Sequence, residues 1–312
     1  MDAVRVSRGA AQASARRAGA AAAGGVKGDG GLVVVIGGSR AYAAPPYLAA
    51  LAARRTGVHG VRIAAPSAPA AQHAALEAHL IEVGGPELDA AAVREVAGVS
   101  ARMLEHLETA GARGRVVWLV GPGLGGNPRA GQVLDALEEV RQADHSAAVV
   151  VDGSLGGGAQ ARRRIAALSA DLVLLNRAEA AALLPEANTH GGRGEVVDLV
   201  ALAALAGKTG AVVVAKGDPD RITDGVQAWE VSVGHPGLAR HGTGDVLAGA
   251  AAGLIAQRLP VPEAAALACH LVGTAGTALA HAVGPGWLSR ELVDAVGTAL
   301  RDLVAAPGPG DR

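Results

Sequence analysis

Residues 116–154 read VVWLVGPGLGGNPRAGQVLDALEEVRQADHSAAVVVDGS. Two apolar runs, VVWLV (116–120) and AAVVV (147–151), bracket the stretch. Neither alternates with polar residues, which is the mark of strands buried on both faces of a parallel sheet. Between them, 129–143 has the Leu/Ala/Glu/Arg content and the length of a helix. Strand, glycine-rich loop, helix and strand in that order predict a βα repeat.

The same unit recurs on either side. LVVVI (32–36), VRIAA (61–65), DLVLL (171–175) and AVVVA (211–215) are further continuous runs, and 194–206 is a further helical stretch. After 215 the pattern changes. RITDGVQAWEVSV (221–233) places Asp224-Gly225 between two strand-like segments, a type I′ hairpin signal. Residues 245–305 read as three helices. The expectation is an α/β fold of three αβα layers around a doubly wound, mostly parallel sheet, in one domain over 27–305. Residues 1–26 carry Arg, Ala and Ser with a single acid, Asp2, and read as a disordered or targeting-like extension. Residues 306–312 read as a flexible tail.

Composition narrows the function. The chain has 312 residues and a net charge of −1, with 50% hydrophobic residues, 2% aromatic and no Phe. The core is therefore built from Ala, Val and Leu. A phosphate-tracking nucleic-acid binder needs an excess of Lys and Arg on one face, which this balance argues against. The single cysteine, Cys269, excludes an intramolecular disulfide and a thiolate cluster and reads as a buried apolar residue. A reducing, cytoplasmic setting is expected, or an organellar one if residues 1–25 are a transit peptide. The longest uncharged stretch, 264–289, is rich in Ala and Gly and reads as a buried helix with its exit loop, with no membrane partner expected.

Nearly every strand run ends in glycine or polar residues. GGS follows Ile36, GPGLGG follows Val120, DGS follows Val151, NRAE follows Leu175 and KGDPD follows Ala215. In open α/β sheets the carboxyl ends of the strands form the binding edge. One such loop is an ordinary turn, whereas five together point to a shared anion-binding cleft. GPGLGG (121–126) offers backbone N–H groups without Cβ atoms in the way, but lacks the Lys-Ser/Thr of a phosphate-binding Walker loop. NRAE sets Asn176 and Glu179 three apart at a helix start, where they either cap the helix or let Glu179 orient a Mg²⁺-bound water. Lys216 ends a strand, where its ammonium either meets a phosphate or simply enters a hairpin. HGTGDVLAG (241–249) leads into an apolar helix. Asp245 there either caps that helix or takes a proton from a hydroxyl attacking phosphorus, with Gly242, Thr243 and Gly244 cradling the phosphoryl oxygens.

The flanks carry a resemblance. GTGDVLAGAAAGLIAQ is similar to the ribokinase-like superfamily, and within it to the ADP/ATP-dependent NAD(P)H-hydrate dehydratases. VKGDGGLVVVIGGSRAYAAPPYLAALAARRTG (26–57), VVWLVGPGLGGN, VVVAKGDPDRITDG, VGHPGLARHGTGDVLAG and GWLSRELVDAV agree in order, covering about 27–305. The resemblance implies repair of NADHX and NADPHX, by phosphorylation of the 6-hydroxyl from ADP or ATP with Mg²⁺ and then loss of phosphate. It implies Asp245 as base and Gly242, Thr243 and Gly244 as anion hole. Lys216, Gly217, Asp218, Pro219 and Asp220 would line the nucleotide, and Pro45, Gly123, Asn176 and Asp245 the substrate. It also implies a homo-oligomer.

Departures are visible. The first loop reads Tyr42-Ala-Ala-Pro-Pro46 where the family has Tyr-x-Gly-Ala-Pro, and Asn176 stands where the family has a histidine. The family's Asp-Ala-Asp loop reads DGSLGGG (152–158), and His241 stands where Gly or Ser is common. Two rivals follow: a small-molecule kinase of the same fold, and a nucleotide-binding pseudoenzyme.

Overall fold

The computed structural model describes residues 1–23, 28–66, 79–83, 87–109, 111, 114–143, 145–153, 155–156, 158–184 and 197–307. Ten strands form one sheet in the order β1-β10-β9-β8-β7-β6-β5-β2-β3-β4. They are β1 (Val4–Arg5), β2 (Leu32–Ile36), β3 (Gly60–Pro66), β4 (His79–Val83), β5 (Val116–Val120), β6 (Ala148–Asp152), β7 (Leu172–Leu175), β8 (Val212–Ala215), β9 (Asp220–Thr223) and β10 (Ala228–Val231). All neighbours run parallel except β9, which is antiparallel to both β8 and β10. The six apolar runs of the sequence are all strands, within a residue at either end.

Each run is buried on both sides because alternate residues enter two different cores. Val33, Val35, Leu119, Val150, Leu174 and Val214 face one layer. It holds α2 (Pro45–Arg55), α8 (Thr243–Ala256), α9 (Val261–Val283) and α10 (Ser289–Ala305). Val34, Ile36, Trp118, Val120, Val151 and Leu175 face the other. It holds α3 (Ala90–Thr109), α4 (Ala130–Ala143), α5 (Gly158–Ala167), the short α6 (Arg177–Leu183) and α7 (Leu199–Thr209). From β2 the chain runs to β3 and β4 on one side, then returns to β5 on the other. That reversal is the switch point at which such sheets open a crevice.

A core without Phe needs close backbone approach. α8 and α2 supply it: a Cβ on Gly249 would sit 1.9 Å from the Ala49 carbonyl oxygen, and one on Gly253 would sit 2.3 Å from Thr56 Oγ1. The uncharged stretch from 264 belongs to α9, long and apolar enough by composition to cross a membrane. Here its residues 264–273 are buried against α8, α10 and the sheet.

Two expectations are corrected. The stretch read as a disordered or targeting-like extension is ordered in part: it carries β1 and α1 (Arg8–Ala23). Ala11, Ala15 and Ala18 recur at helical spacing and are buried, and Gln12 Nε2 donates to the Ala306 carbonyl. Arg17 pairs with Glu263. Asp224-Gly225 is not a two-residue type I′ turn. Thr223 pairs with Ala228, so four residues connect the strands, and the Asp224 carboxylate accepts from Val226 and Gln227 N–H at 2.8 and 2.7 Å. These side-chain bonds reinforce one backbone bond, Asp224 N–H to the Gln227 carbonyl at 3.3 Å. Residues 194–196 of the expected helix and 308–312 of the tail lie outside the described residues; α7 starts at Leu199.

Candidate active site

The loops after β2, β5, β6 and β7 and the start of α8 enclose a cleft of about 600 Å³ at the switch point. Tyr42 and Pro45 enter from the first loop, Gly121 and Gly123–Gly126 from the second, and Asp152, Gly153 and Leu155 from the third. Glu179, His241 and Asp245 complete the polar wall.

Asp245 stands in the first turn of α8. Gly242 precedes that helix with φ +91°, a left-handed turn that a side chain resists, and no side chain caps the helix. The first N–H groups of a helix have no partner within it, so this end presents donors and the positive pole of the dipole to the cleft. The approach loop is pinned from several sides. Thr243 Oγ1 lies 2.8 Å from the Leu238 carbonyl and 2.9 Å from that of Arg240. Ser289 Oγ donates to the His241 carbonyl at 2.6 Å. The Arg240 guanidinium stacks 3.8 Å over the Trp287 ring and donates to the carbonyls of Gly237 and Trp287. The Thr243 hydroxyl is thus a structural tie, and its N–H is the group left for an anion.

Four charges meet at this corner. Lys216 Nζ donates to Asp152 Oδ1 at 2.9 Å, with both side chains largely buried. Burial alone would lower the ammonium, but Asp152, Glu179 and Asp245 outweigh it and hold Lys216 above its usual pKa. Burial pushes Asp245 up to about 7, the Asp152 charge adds to the rise, and Lys216 offsets part of it. A carboxyl poised near neutrality suits a general base. A Cβ on Gly244 would sit 3.2 Å from Lys216 Nζ, so this glycine keeps the ammonium close to the helix start.

Other expected residues land differently. Pro45 and Gly123 line the cleft; Gly217, Asp218, Pro219 and Asp220 do not belong to its lining. Asp220 turns inward, accepting from Gly217 N–H at 2.8 Å and from the Cys269 thiol, and burial raises it to about 6. Asn176 is spent on a capping box: its Oδ1 accepts from Glu179 N–H while Glu179 Oε2 accepts from Asn176 N–H. Glu179 still lines the cleft. The glycines of GPGLGG serve mostly the protein itself. A Cβ on Gly121 would lie 2.0 Å from the Asp152 carbonyl oxygen and one on Gly123 2.7 Å from that of Tyr42, whereas Gly125 faces open space. Asp152 was missed as a site residue, although a lone acid at a strand end beside a glycine is its signal.

Among the described residues no three His, Cys, Asp or Glu side chains group as a metal site. The carboxylates of Asp152, Glu179 and Asp245 are hard oxygen donors of the type Mg²⁺ accepts. Mg²⁺ fits here as an ion carried mainly by nucleotide phosphates and water, with these side chains as secondary partners.

A family model described as NAD(P)H-hydrate dehydratase matches residues 33–297, so the chain belongs to that family. The bifunctional NAD(P)H-hydrate repair enzyme Nnr of Pyrobaculum aerophilum is 31% identical over 84% of this chain and 49% of its own length. The ADP-dependent (S)-NAD(P)H-hydrate dehydratase of Natrialba magadii is 29% identical over 83% of this chain and 88% of its own. The chain spans about half the length of the bifunctional relatives it matches. Among solved structures, the ADP/ATP-dependent NAD(P)H-hydrate dehydratase of Bacillus subtilis co-crystallised with ATP/Mg²⁺ has the same fold, with a TM-score of 0.66. It is 19% identical, with 97% of this chain and 99% of that one covered.

Proposed function

We propose that this member of the NAD(P)H-hydrate dehydratase family restores NADH and NADPH from (6S)-NADHX and (6S)-NADPHX, using ADP or ATP. The observation that carries the reading is Asp245. It is a carboxyl raised to about 7 by burial and by Asp152, set at an uncapped helix start that opens on the cleft.

Asp245 takes the proton of the substrate 6-hydroxyl as its oxygen attacks the terminal phosphorus of the nucleotide. The N–H groups at Thr243 and Gly244 and the α8 dipole hold the phosphoryl oxygens in flight. The Lys216 ammonium, fixed by Asp152, adds positive charge at the same corner. Mg²⁺, when bound, neutralises charge on the nucleotide phosphates. The donor leaves as AMP or ADP. Phosphate then departs from C6 with its C–O electron pair, and loss of a proton from C5 restores the ring double bond.

The test is incubation of the protein with NADHX and each nucleotide, read as the returning absorbance of NADH and the release of inorganic phosphate. No recovery with either nucleotide sinks the dehydratase reading. A stable phosphorylated product would assign a kinase instead.

A further inference from the structure

Arg164 has no role in the chemistry above, yet it lines the same cleft. It closes a run of three arginines at 162–164. Arg162 donates to the Leu183 carbonyl at 2.7 Å, and Arg163 is exposed. The Arg164 side chain is only 18% exposed and is braced from the neighbouring helix: its Nη2 lies 2.8 Å from Asp135 Oδ1 and its Nε 3.9 Å from Glu138 Oε1. An arginine held this way is pre-oriented, and its fork keeps donors for a second partner.

The charges of the cleft bear on what that partner is. Its lining includes three carboxylates, Asp152, Glu179 and Asp245, and Arg164 is the one guanidinium or ammonium among the described lining residues. Asp245 and Arg164 come from opposite helical layers, while Glu179 on α6 shares the layer of Arg164. Asp245 starts α8 on one face of the sheet, and Arg164 projects from α5 on the other. Leu124, Leu134 and Leu155 line the wall together with Gly125 and Gly156. A ligand joining both ends crosses the carboxyl edge of the sheet. It needs a reacting, uncharged ring at Asp245 and an anion further along.

We propose that Arg164 holds the pyrophosphate of the hydrated dinucleotide and so sets its direction in the cleft, an inference that rests on the dehydratase reading. The pyrophosphate is the anion nearest the nicotinamide ring, one ribose away. The planar guanidinium offers it paired donors from the layer opposite Asp245, whose corner is taken by the phosphoryl group in flight. Arg164 is a binding residue here, distant from the reacting atoms.

The test compares wild type with R164Q in the repair assay. The expected result is a rise in KM of roughly 10- to 100-fold, the range for losing a hydrogen bond to a charged group, equal for NADHX and NADPHX. The kcat and the KM for the nucleotide stay within about twofold, as expected when the lost binding is shared equally by ground and transition states. An unchanged KM for the dinucleotides overturns the proposal, as does a rise confined to the nucleotide. A rise for NADPHX alone overturns it in favour of the 2′-phosphate. If R164Q fails to fold, R164K decides: it keeps the charge and loses the fork, so a several-fold rise in KM supports the proposal and no rise overturns it. Absence of repair by the wild type is a separate result, which removes the dehydratase reading itself.

Discussion

The two glycine-rich loops at the carboxyl edge look alike in sequence and do different work. In GPGLGG (121–126) two of the four glycines let one stretch of backbone lie on another: Gly121 presses on the Asp152 carbonyl and Gly123 on that of Tyr42, while Gly126 packs against the Ser39 and Tyr42 side chains. In GTGD (242–245) the neighbours of the glycines are side chains, the Lys216 ammonium beside Gly244 and Leu48 and Ser289 beside Gly242. The first loop gives the cleft its shape. The second brings backbone donors, an ammonium and a carboxyl to one point. A glycine count alone therefore does not separate a ligand loop from a packing loop; what each glycine faces does.

The largest effect that would break this contrast is at Asp245. Asp245→Asn is expected to lower turnover by about 10²- to 10⁴-fold, the usual contribution of a positioned general base, with nucleotide binding kept. Steady-state kinetics and a nucleotide titration check this, and residual activity near wild type would return Asp245 to a plain helix-start role. The same variant carries an opposite expectation for stability. The folded-state pKa of about 7 lies above the ordinary 3.8, so ionising Asp245 costs folding stability. That cost begins as pH rises past about 4 and is complete above about 7. Asp245→Asn should unfold at a higher temperature than wild type at pH 8, with the gap closing toward pH 4.

Wild-type turnover should follow the same ionisation. The base works deprotonated, so kcat/KM is expected to rise with pH and level off above about 7. A profile flat between pH 5.5 and 8.5 would remove proton transfer to Asp245 from the limiting step.

The packing loop makes its own prediction. Gly121 has φ +122°, and an added Cβ would lie 2.0 Å from a backbone oxygen that cannot move away cheaply. Gly121→Ala is expected to cost about 2–4 kcal/mol by denaturant unfolding, because strain and overpacking add. A loss under 1 kcal/mol would mean that the loop and Asp152 separate easily, and with them the wall of the cleft.

Much of the sheet was legible because β-branched runs buried on both faces leave an unbroken apolar signal, and every such run became a strand. The GTGD stretch stood out for a different reason: an acid between glycines and an apolar helix reads either as a helix start or as a site, and only the packing brings Lys216 and Asp152 beside it. What stayed hidden depends on distant contacts. Lys216 and Asp152 are 64 positions apart, and no spacing rule pairs them. α1 hid because its buried alanines stand among exposed ones such as Ala10 and Ala13, so the helical period has little contrast. The 224–227 turn hid because an aspartate side chain took over the turn. Asn176 and Glu179 carried a pattern that fits both a cap and a ligand set, and the cap takes one oxygen of each side chain.

The smallest expected effect is the sharpest test of the opening contrast. Gly125 lies in the same loop as Gly121 and Gly123, but a Cβ there meets nothing within 4 Å, and its backbone is outside the left-handed region. Stability of Gly125→Ala should therefore stay within about 0.5 kcal/mol of wild type, since no neighbour is displaced. Gly125 also borders the cleft, and the added methyl stands in open space beside that volume. If ligand occupies that volume, the KM for the hydrated dinucleotide rises while the unfolding curve does not move. If neither quantity changes, Gly125 borders space that no ligand uses, and the part of this loop that serves binding shrinks to the walls its packed glycines shape.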